Sequence, residues 1–259
     1  MHLTFVEEGP ALLVENTMRV LVIADMHFGI ETDFARRGVH IPSQSAERMR
    51  RAIGCIEATE PDLLVLLGDI KHSIPMTTRQ EYREVPEALS AFRERVPIRV
   101  APGNHDGGIE KFLQEGELLP IRGAVIDDVG YLHGHTHPDG ELLGHPLVIG
   151  HLHPMVSLQD EVGCALRDRA YISTVIDAEC IGVKGLKRPI DLLVMPAFNE
   201  FSGFDVERLA DTSLGPLARC MQMDKAEVFL TDGTYLGPLR SLQSGGDPLS
   251  PGQASAGDH

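Results

Sequence analysis

Five apolar runs, each ending on side chains able to grip a cation, constrain this chain more than any other feature in it. Leu21-Val22-Ile23-Ala24 leads to Asp25-Met26-His27, and Leu63-Leu64-Val65-Leu66-Leu67 leads to Gly68-Asp69. Ile98-Arg99-Val100-Ala101 leads to Pro102-Gly103-Asn104-His105-Asp106. Val129-Gly130-Tyr131-Leu132 leads to His133-Gly134-His135, and Val148-Ile149 to Gly150-His151-Leu152-His153-Pro154. Such runs read as buried strands, and the sheets of α/β proteins open onto a crevice at the carboxyl ends of their strands. Side chains along a strand alternate between faces, but a turn after Gly150 can swing both following imidazoles toward one point. Five strand ends aimed at one place predict a centre assembled from distant parts of the chain.

The elements between these runs set the fold class. Residues 3–6 and 11–14 alternate around Glu7-Glu8-Gly9-Pro10 as a hairpin would. Met18 to Ala24 reads as the first central strand. Ala46, Met49, Ala52-Ile53 and Ile56 recur at helical spacing over Ser43–Thr59, and Tyr82 to Val96 reads as a helix interrupted early by Pro86. Strand, helix, strand, helix, strand builds a parallel sheet with right-handed crossovers. Residues 117–175 carry short apolar runs between Gly and Pro, which predicts a second, more antiparallel sheet. Pro189–Pro196 spells a late strand, and residues 225–239 a hairpin around Asp232-Gly233. One domain is expected over 1–240. Ser, Gly, Pro, Gln and Asp dominate 241–259, which has too little to bury and is expected to be a disordered tail.

With 259 residues and 42% apolar content the chain can bury a sizeable core, filled by Leu, Ile, Val and Ala because Trp is absent. Its 38 acidic and 23 basic residues leave a formal charge of -15, and only Lys71, Lys111, Lys184, Lys187 and Lys225 are lysines. That surface repels polyanions at long range, an effect that fades as the Debye length falls to about 3 Å at 1 M salt. It is also the composition of a protein that works in concentrated salt. Refolding in molar KCl of chain unfolded in dilute buffer is the result expected; indifference to salt would remove the idea. Cys55, Cys164, Cys180 and Cys220 lack any Cys-x-x-Cys pairing and read as small buried thiols in a reducing compartment. The first eight residues have neither the basic start nor the apolar centre of a signal peptide, and no apolar run approaches the roughly 20 residues that span a bilayer. A cytoplasmic location, with no membrane partner, is the expectation.

Asp-x-His, Gly-Asp, Gly-Asn-His-Asp, a later lone His and Gly-His-x-His stand in this order across residues 19 to 154. Any one of them alone is commonly a turn, a cap or a loop. Together, each behind a buried strand, the set resembles the calcineurin-like metallophosphoesterases. Gly29-Ile30-Glu31, Arg36-Arg37-Gly38, Gly68-Asp69-Ile70-Lys71-His72-Ser73 and the ending at Pro154 are similar to the small phosphoesterases that include the DNA-ligase-associated and archaeal SbcD-related groups. The resemblance implies a four-layer αββα sandwich, two packed mixed sheets flanked by helices. It also implies two divalent metal ions, manganese being favoured over iron, zinc, nickel or magnesium. Carried over by motif position, Asp25, His27 and His153 hold one metal, Asn104, His133 and His151 the other, and Asp69 bridges them. Tyr131-Leu132-His133-Gly134-His135-Thr136-His137 leaves the lone His open among three: His133 directly follows the strand, and His135 and His137 are the alternatives. His105 is then the proton donor to the leaving oxygen, with Asp106 orienting its ring.

Two cations about 3.5 to 4 Å apart can activate a water or hydroxide nucleophile and neutralise phosphoryl oxygens. The expected activity is therefore phosphoester hydrolysis, as a phosphodiesterase or nuclease acting on nucleic acid or nucleotides. The resemblance also raises association with DNA-repair proteins. The acidic surface and the lack of a basic stripe argue against tight duplex binding. A phosphomonoesterase or protein phosphatase is the enzymatic alternative, and a non-catalytic metal-binding scaffold the alternative of another class. His72 reads either as a polar loop residue or as a contact to phosphate or a metal ligand. Arg36 and Arg37 read either as phosphate-steering or as solvated.

Overall fold

The computed structural model describes residues 1–159, 165–182, 188–206, 209 and 214–243. Two sheets pack face to face. The first has the order β1 (His2–Val6), β2 (Ala11–Glu15), β3 (Arg19–Ala24), β4 (Leu63–Leu67) and β5 (Ile98–Ala101). The early hairpin makes β1, β2 and β3 antiparallel, while β3, β4 and β5 run parallel with Ala24 opposite Leu67 and Leu67 opposite Ala101. Their carboxyl ends therefore lie side by side. The crossovers are α2 (Ser45–Thr59) and α3 (Arg79–Arg93), preceded by the short α1 (Glu31–Arg36).

Helix α3 starts earlier than expected and is not interrupted. Thr78 caps it, accepting from the Glu81 amide, while the Glu81 carboxylate receives the Thr78 amide in return. Pro86 lies inside the continuous helix, which Val85, Ala88, Leu89 and Phe92 anchor in the core. Packing of that face outweighs the roughly 3 kcal/mol that an interior proline costs.

The second sheet has the order β12 (Phe204–Asp205), β9 (Pro154–Gln159), β10 (Ala165–Ile176), β11 (Ile190–Val194), β8 (Leu147–Ile149), β7 (Val129–Leu132) and β6 (Ala124–Ile126). Beside β10, the hairpin of β13 (Glu227–Leu230) and β14 (Tyr235–Pro238) completes it. The sheet is mixed: β7, β8 and β11 are parallel, with Leu132 opposite Ile149 and Ile149 opposite Val194, β12 runs parallel to β9, and β10 is antiparallel to β9, β11 and β13. The ends of β7 and β8 thus open on the same side as those of β3, β4 and β5. Leu12, Val22, Val65 and Leu67 meet Tyr131, Val148, Tyr171 and Met195 between the sheets. Helices α2 and α3 cover the outer face of the first sheet. Among the described residues, 3-10 turns at Gly140–Gly144 and Ala218–Cys220 and the five-residue α4 (Leu239–Gln243) cover the second. That last helix carries order three residues past the expected start of the tail, and residues 244–259 lie outside the described ones. No helix among the described residues is long and apolar enough to cross a membrane.

Tyr171 spans the seam between the sheets. Its buried hydroxyl donates to the Ala11 carbonyl at 2.9 Å, and burial pushes its pKa up. Tyr171→Phe removes that bond and is expected to cost about 0.5–1.5 kcal/mol. For a domain this large that is a melting temperature lower by roughly 1–6 °C in thermal denaturation; an unchanged melt would remove this link.

The cysteines correct the expectation of isolated thiols. Cys180 and Cys220 form a disulfide across 40 residues, with Cα atoms 5.5 Å apart. The chain brings them together because Ile176, at the end of β10, bridges Met221, and the Asp177 amide donates to the Cys220 carbonyl at 3.0 Å. The inference of a reducing compartment from unpaired thiols falls for this pair. Cys55 is free and buried, and burial raises its thiol to about 12, so it is inert packing. Cys164 lies outside the described residues.

Candidate metal centre

Two neighbouring clusters that share Asp69 form where the strand ends meet, and His27, His72 and His105 form a third group beside them. Asp25, His27, Asp69 and His153 offer ligand atoms within 4.8 Å of one another, as do Asp69, His133 and His151, and Asp69 belongs to both. Asn104 joins the second through its Oδ1, 3.3 Å from His133 Nε2. His135 and His137 are in neither cluster. The His135 ring lies beside His133 at 5.2 Å and His151 at 6.0 Å between centroids, with a buried Nδ1 that has no hydrogen-bond partner.

The local backbone explains how strand residues reach inward. Asp25 (φ 57°), His27 (φ 48°), Asp69 (φ 47°), His151 (φ 68°) and His153 (φ 43°) all adopt the left-handed conformation. Asp and His enter that region more readily than most residues, yet each non-glycine there costs of order 1–3 kcal/mol. The motif glycines supply the remaining room. A Cβ on Gly103 would lie 2.1 Å from Asp69 Oδ1, and one on Gly150 2.6 Å from Asp25 Oδ2. Gly103→Ala therefore has to move the Asp69 loop. A shift near 1 Å is expected to lower turnover about 10²-fold, and full activity in that variant would show that the close approach is dispensable.

Hydrogen bonds aim the ligand atoms. The His105 amide donates to Asp69 Oδ1 at 2.8 Å and the His151 amide to Asp25 Oδ2 at 2.9 Å, which ties down one oxygen of each carboxylate. The other two face inward: Asp69 Oδ2 lies 3.4 Å from His133 Nε2, 3.6 Å from His27 Nε2 and 3.9 Å from His105 Nε2. Asp25 Oδ1 is 3.1 Å from His153 Nε2. Asp25 Oδ1, His27 Nε2 and His153 Nε2 are buried without a hydrogen-bond partner. His133 Nδ1 lies 2.9 Å from the Leu67 carbonyl, an acceptor only, so Nδ1 carries a proton and in the neutral ring Nε2 turns a lone pair toward Asp69 and Asn104. Lone pairs facing one another in a buried space mark a place for positive charge, and this donor set fits a pair of divalent cations.

The electrostatics agree. Burial opposes charge on Asp69, yet the imidazoles of His133, His27 and His105 hold its carboxyl far below the usual range. Burial likewise opposes charge on His133, but Asp69 and Asp25 outweigh it and raise it to about 9. Burial and the proximity of His133 push His151 down to about 4. His27 is also lowered, by burial and by His153.

Asp106 requires a correction. Its Oδ2 accepts from the Gly103 amide at 2.9 Å and its Oδ1 from the Lys71 amide at 3.2 Å, so it braces the loop and does not orient the His105 ring. Its carboxyl is pushed up to about 6, by burial first and then by Asp69. The His105 ring is held through Nδ1 by the His72 carbonyl.

Other residues support the site without having stood out in the sequence. Asn199 donates from Nδ2 to the Asp25 carbonyl at 2.9 Å while its Oδ1 receives the amides of Phe201 and Ser202. Arg48 is fully buried and joins Glu31 at 3.3 Å, Glu200 at 2.6 Å and the His27 carbonyl at 3.3 Å. Lys71, also fully buried, donates from Nζ to the carbonyls of Ser73, at 2.8 Å, and His105. Lys71 lies in the Gly68–Ser73 stretch that carries the family likeness. Arg37 pairs with Asp33 at 2.8 Å and is exposed.

Comparison with known proteins gives the same placement. The sequence model described as calcineurin-like phosphoesterase matches residues 18–159, a span from the start of β3 to the end of β9 that holds all seven clustered side chains. The fold is similar to that in the crystal structure of the Pseudomonas putida nuclease MPE, with a TM-score of 0.55 at 18% identity over 87% of this chain and 100% of that one. YfcE, a phosphoesterase from E. coli, aligns over 54% of this chain and 73% of its own at 18% identity, with a TM-score of 0.35.

Proposed function

The chain belongs to the calcineurin-like phosphoesterase family and is a hydrolase of phosphoester bonds, and from that premise we propose that it is a manganese-dependent phosphodiesterase acting on nucleic acid or nucleotides. Asp25, His27 and His153 would hold one ion, Asn104, His133 and His151 the other, and Asp69 would serve both. The observation that carries the metal assignment is the set of buried, unpartnered atoms Asp25 Oδ1, His27 Nε2 and His153 Nε2 gathered with Asp69. When bound, a close pair of divalent cations would neutralise phosphoryl oxygens and lower the pKa of bound water.

The chain's own residues supply the rest. His105 Nε2 faces the centre at 3.9 Å from Asp69 Oδ2, while Nδ1 stays on the His72 carbonyl. As imidazolium, His105 passes its Nε2 proton to the departing oxygen as the P–O bond breaks and is left neutral, its Nδ1 proton still in place. Asp106 keeps the Gly103–His105 turn at the right height by its two backbone bonds.

Two observations favour a diester. A phosphomonoester dianion calls for a cationic clamp, and Arg48 is committed to Glu31 and Glu200 and Arg37 to Asp33, which leaves the exposed Arg36 as the one arginine of that loop without an ion pair among the described residues. A nuclease shares the fold. The test compares bis-p-nitrophenyl phosphate with p-nitrophenyl phosphate in Mn²⁺, then single- and double-stranded nucleic acid at low and high salt. Faster cleavage of the diester and of a nucleic acid supports the reading. Preference for the monoester would replace it with a phosphomonoesterase. Metal binding without cleavage of anything, unaffected by His105→Ala, would replace it with a scaffold.

A further inference from the structure

His72 is in neither of the clusters that hold Asp69 but groups with His27 and His105, and it touches the proposed machinery twice. Its ring nitrogen Nδ1 is 3.1 Å from Nδ1 of His27, and its main-chain carbonyl holds Nδ1 of His105. The three rings form a compact group, His72 stacked on His105 at 5.3 Å and edge-on to His27 at 5.2 Å. The contact is built in: the His72 amide donates to the Phe28 carbonyl at 3.1 Å and to Glu81 Oε1 at 2.9 Å, and Glu81 in turn caps α3. The main chain at His72 is thus fixed by a helix terminus on one side and the strand-end loop of β3 on the other, and the ring by its contacts with His27 and His105.

With no ion between them, two imidazole nitrogens at 3.1 Å are one donor and one acceptor. If His72 donated, the proton of neutral His27 would sit on Nε2, the buried atom that faces Asp69 Oδ2 with no hydrogen-bond partner. It could not then ligate an ion. If His27 donates, its proton is on Nδ1, its Nε2 lone pair points at the Asp25–Asp69–His153 cluster, and His72 accepts with its own proton on Nε2. We infer that His72 is a positioning residue that selects the metal-binding tautomer of His27 through this Nδ1 to Nδ1 hydrogen bond. A partner on the non-ligating nitrogen of a metal-bound histidine fixes ring orientation and raises basicity, and its removal typically weakens metal binding 10–100-fold. The inference rests on the metal assignment made above and adds to it a second role for the Gly68–Ser73 loop.

The test is Mn²⁺ titration of the full chain by calorimetry for wild type, His72→Ala, His72→Asn and His72→Gln, with a thermal melt of each metal-free protein. An Asn side chain places its acceptor where Nδ1 stands and Gln places its own where Nε2 stands. His72→Ala is expected to weaken one of two sites about 10–100-fold, His72→Asn to recover most of that loss, and His72→Gln to recover little, at similar melting temperatures. Activity lost in His72→Ala should return at saturating Mn²⁺, which a merely structural defect would not allow. Equal metal affinity in wild type and His72→Ala would overturn the inference, as would Asn performing no better than Gln. Should His72→Ala fail to fold, the Asn and Gln pair still decides. A wild-type chain that binds no Mn²⁺ would overturn the metal assignment itself and this inference with it.

Discussion

Asp69→Asn is expected to remove both ions and lower phosphodiester turnover by about 10³-fold or more, about 4 kcal/mol of transition-state stabilisation. The reason is position. Asp69 is the side chain common to both clusters, and its Oδ2 lies within 3.6 Å of His27 Nε2 and His133 Nε2. Asn has the same shape and keeps an acceptor for the His105 amide, which donates to Oδ1 at 2.8 Å. The fold should therefore survive, and the loss should be of charge alone. Metal content by elemental analysis and turnover of bis-p-nitrophenyl phosphate are the measurements. A variant that kept two ions per chain would show that Asp69 does not bridge.

Acidity should act in opposite directions on metal affinity and on the stability of the metal-free protein. His133 is raised to about 9 in the fold, against about 6.5 in an unfolded chain. A raised pKa contributes stability that is complete below the unfolded value and is lost as pH climbs through the folded one. His151 and His135 are both lowered to about 4 and Asp106 titrates near 6, so between pH 7 and 9 these groups are already deprotonated. Over that window the metal-free protein should lose stability, by on the order of 2–3 kcal/mol if the full shift is realised. Metal binding needs neutral His133, so affinity should rise about tenfold per pH unit over the same window. Denaturant melts of chelator-treated protein and Mn²⁺ titrations at pH 7, 8 and 9 check both halves. Affinity that is flat across the window would mean that His133 gives up no proton on binding.

Most of the scaffold could be read from the chain because the signals were local. Leu63–Leu67 is apolar at every position and is a strand buried throughout, and the hairpin around Asp232-Gly233 follows from what a tight turn requires. Thr78 and Glu81 spelled out a capping box too, although the weight given to Pro86 concealed it. The clustering of seven side chains was legible because each follows an apolar run directly. What could not be read were contacts made by the fold between segments without a shared pattern. Cys180 meets Cys220 only because the end of β10 passes the Ala218–Cys220 turn. Asp106 looked like a partner for the ring next to it, but its carboxylate turns back to its own loop, since a buried turn must satisfy its amides before anything else. Asn199, Arg48 and Lys71 act through main-chain carbonyls, and a carbonyl has no letter in the sequence.

The origin of the ligands on two separate sheets has a mechanical consequence. Asp25, His27, Asp69 and Asn104 follow strands of the first sheet, and His133, His151 and His153 follow strands of the second. Each proposed ion thus acts as a rivet through both plates of the sandwich, so loading should fuse their melting into one sharp event, with about 2.7 kcal/mol gained at a hundredfold excess over Kd. Chelation should remove that gain and leave the sheets held by the core between them and by the Tyr171 bond across the seam.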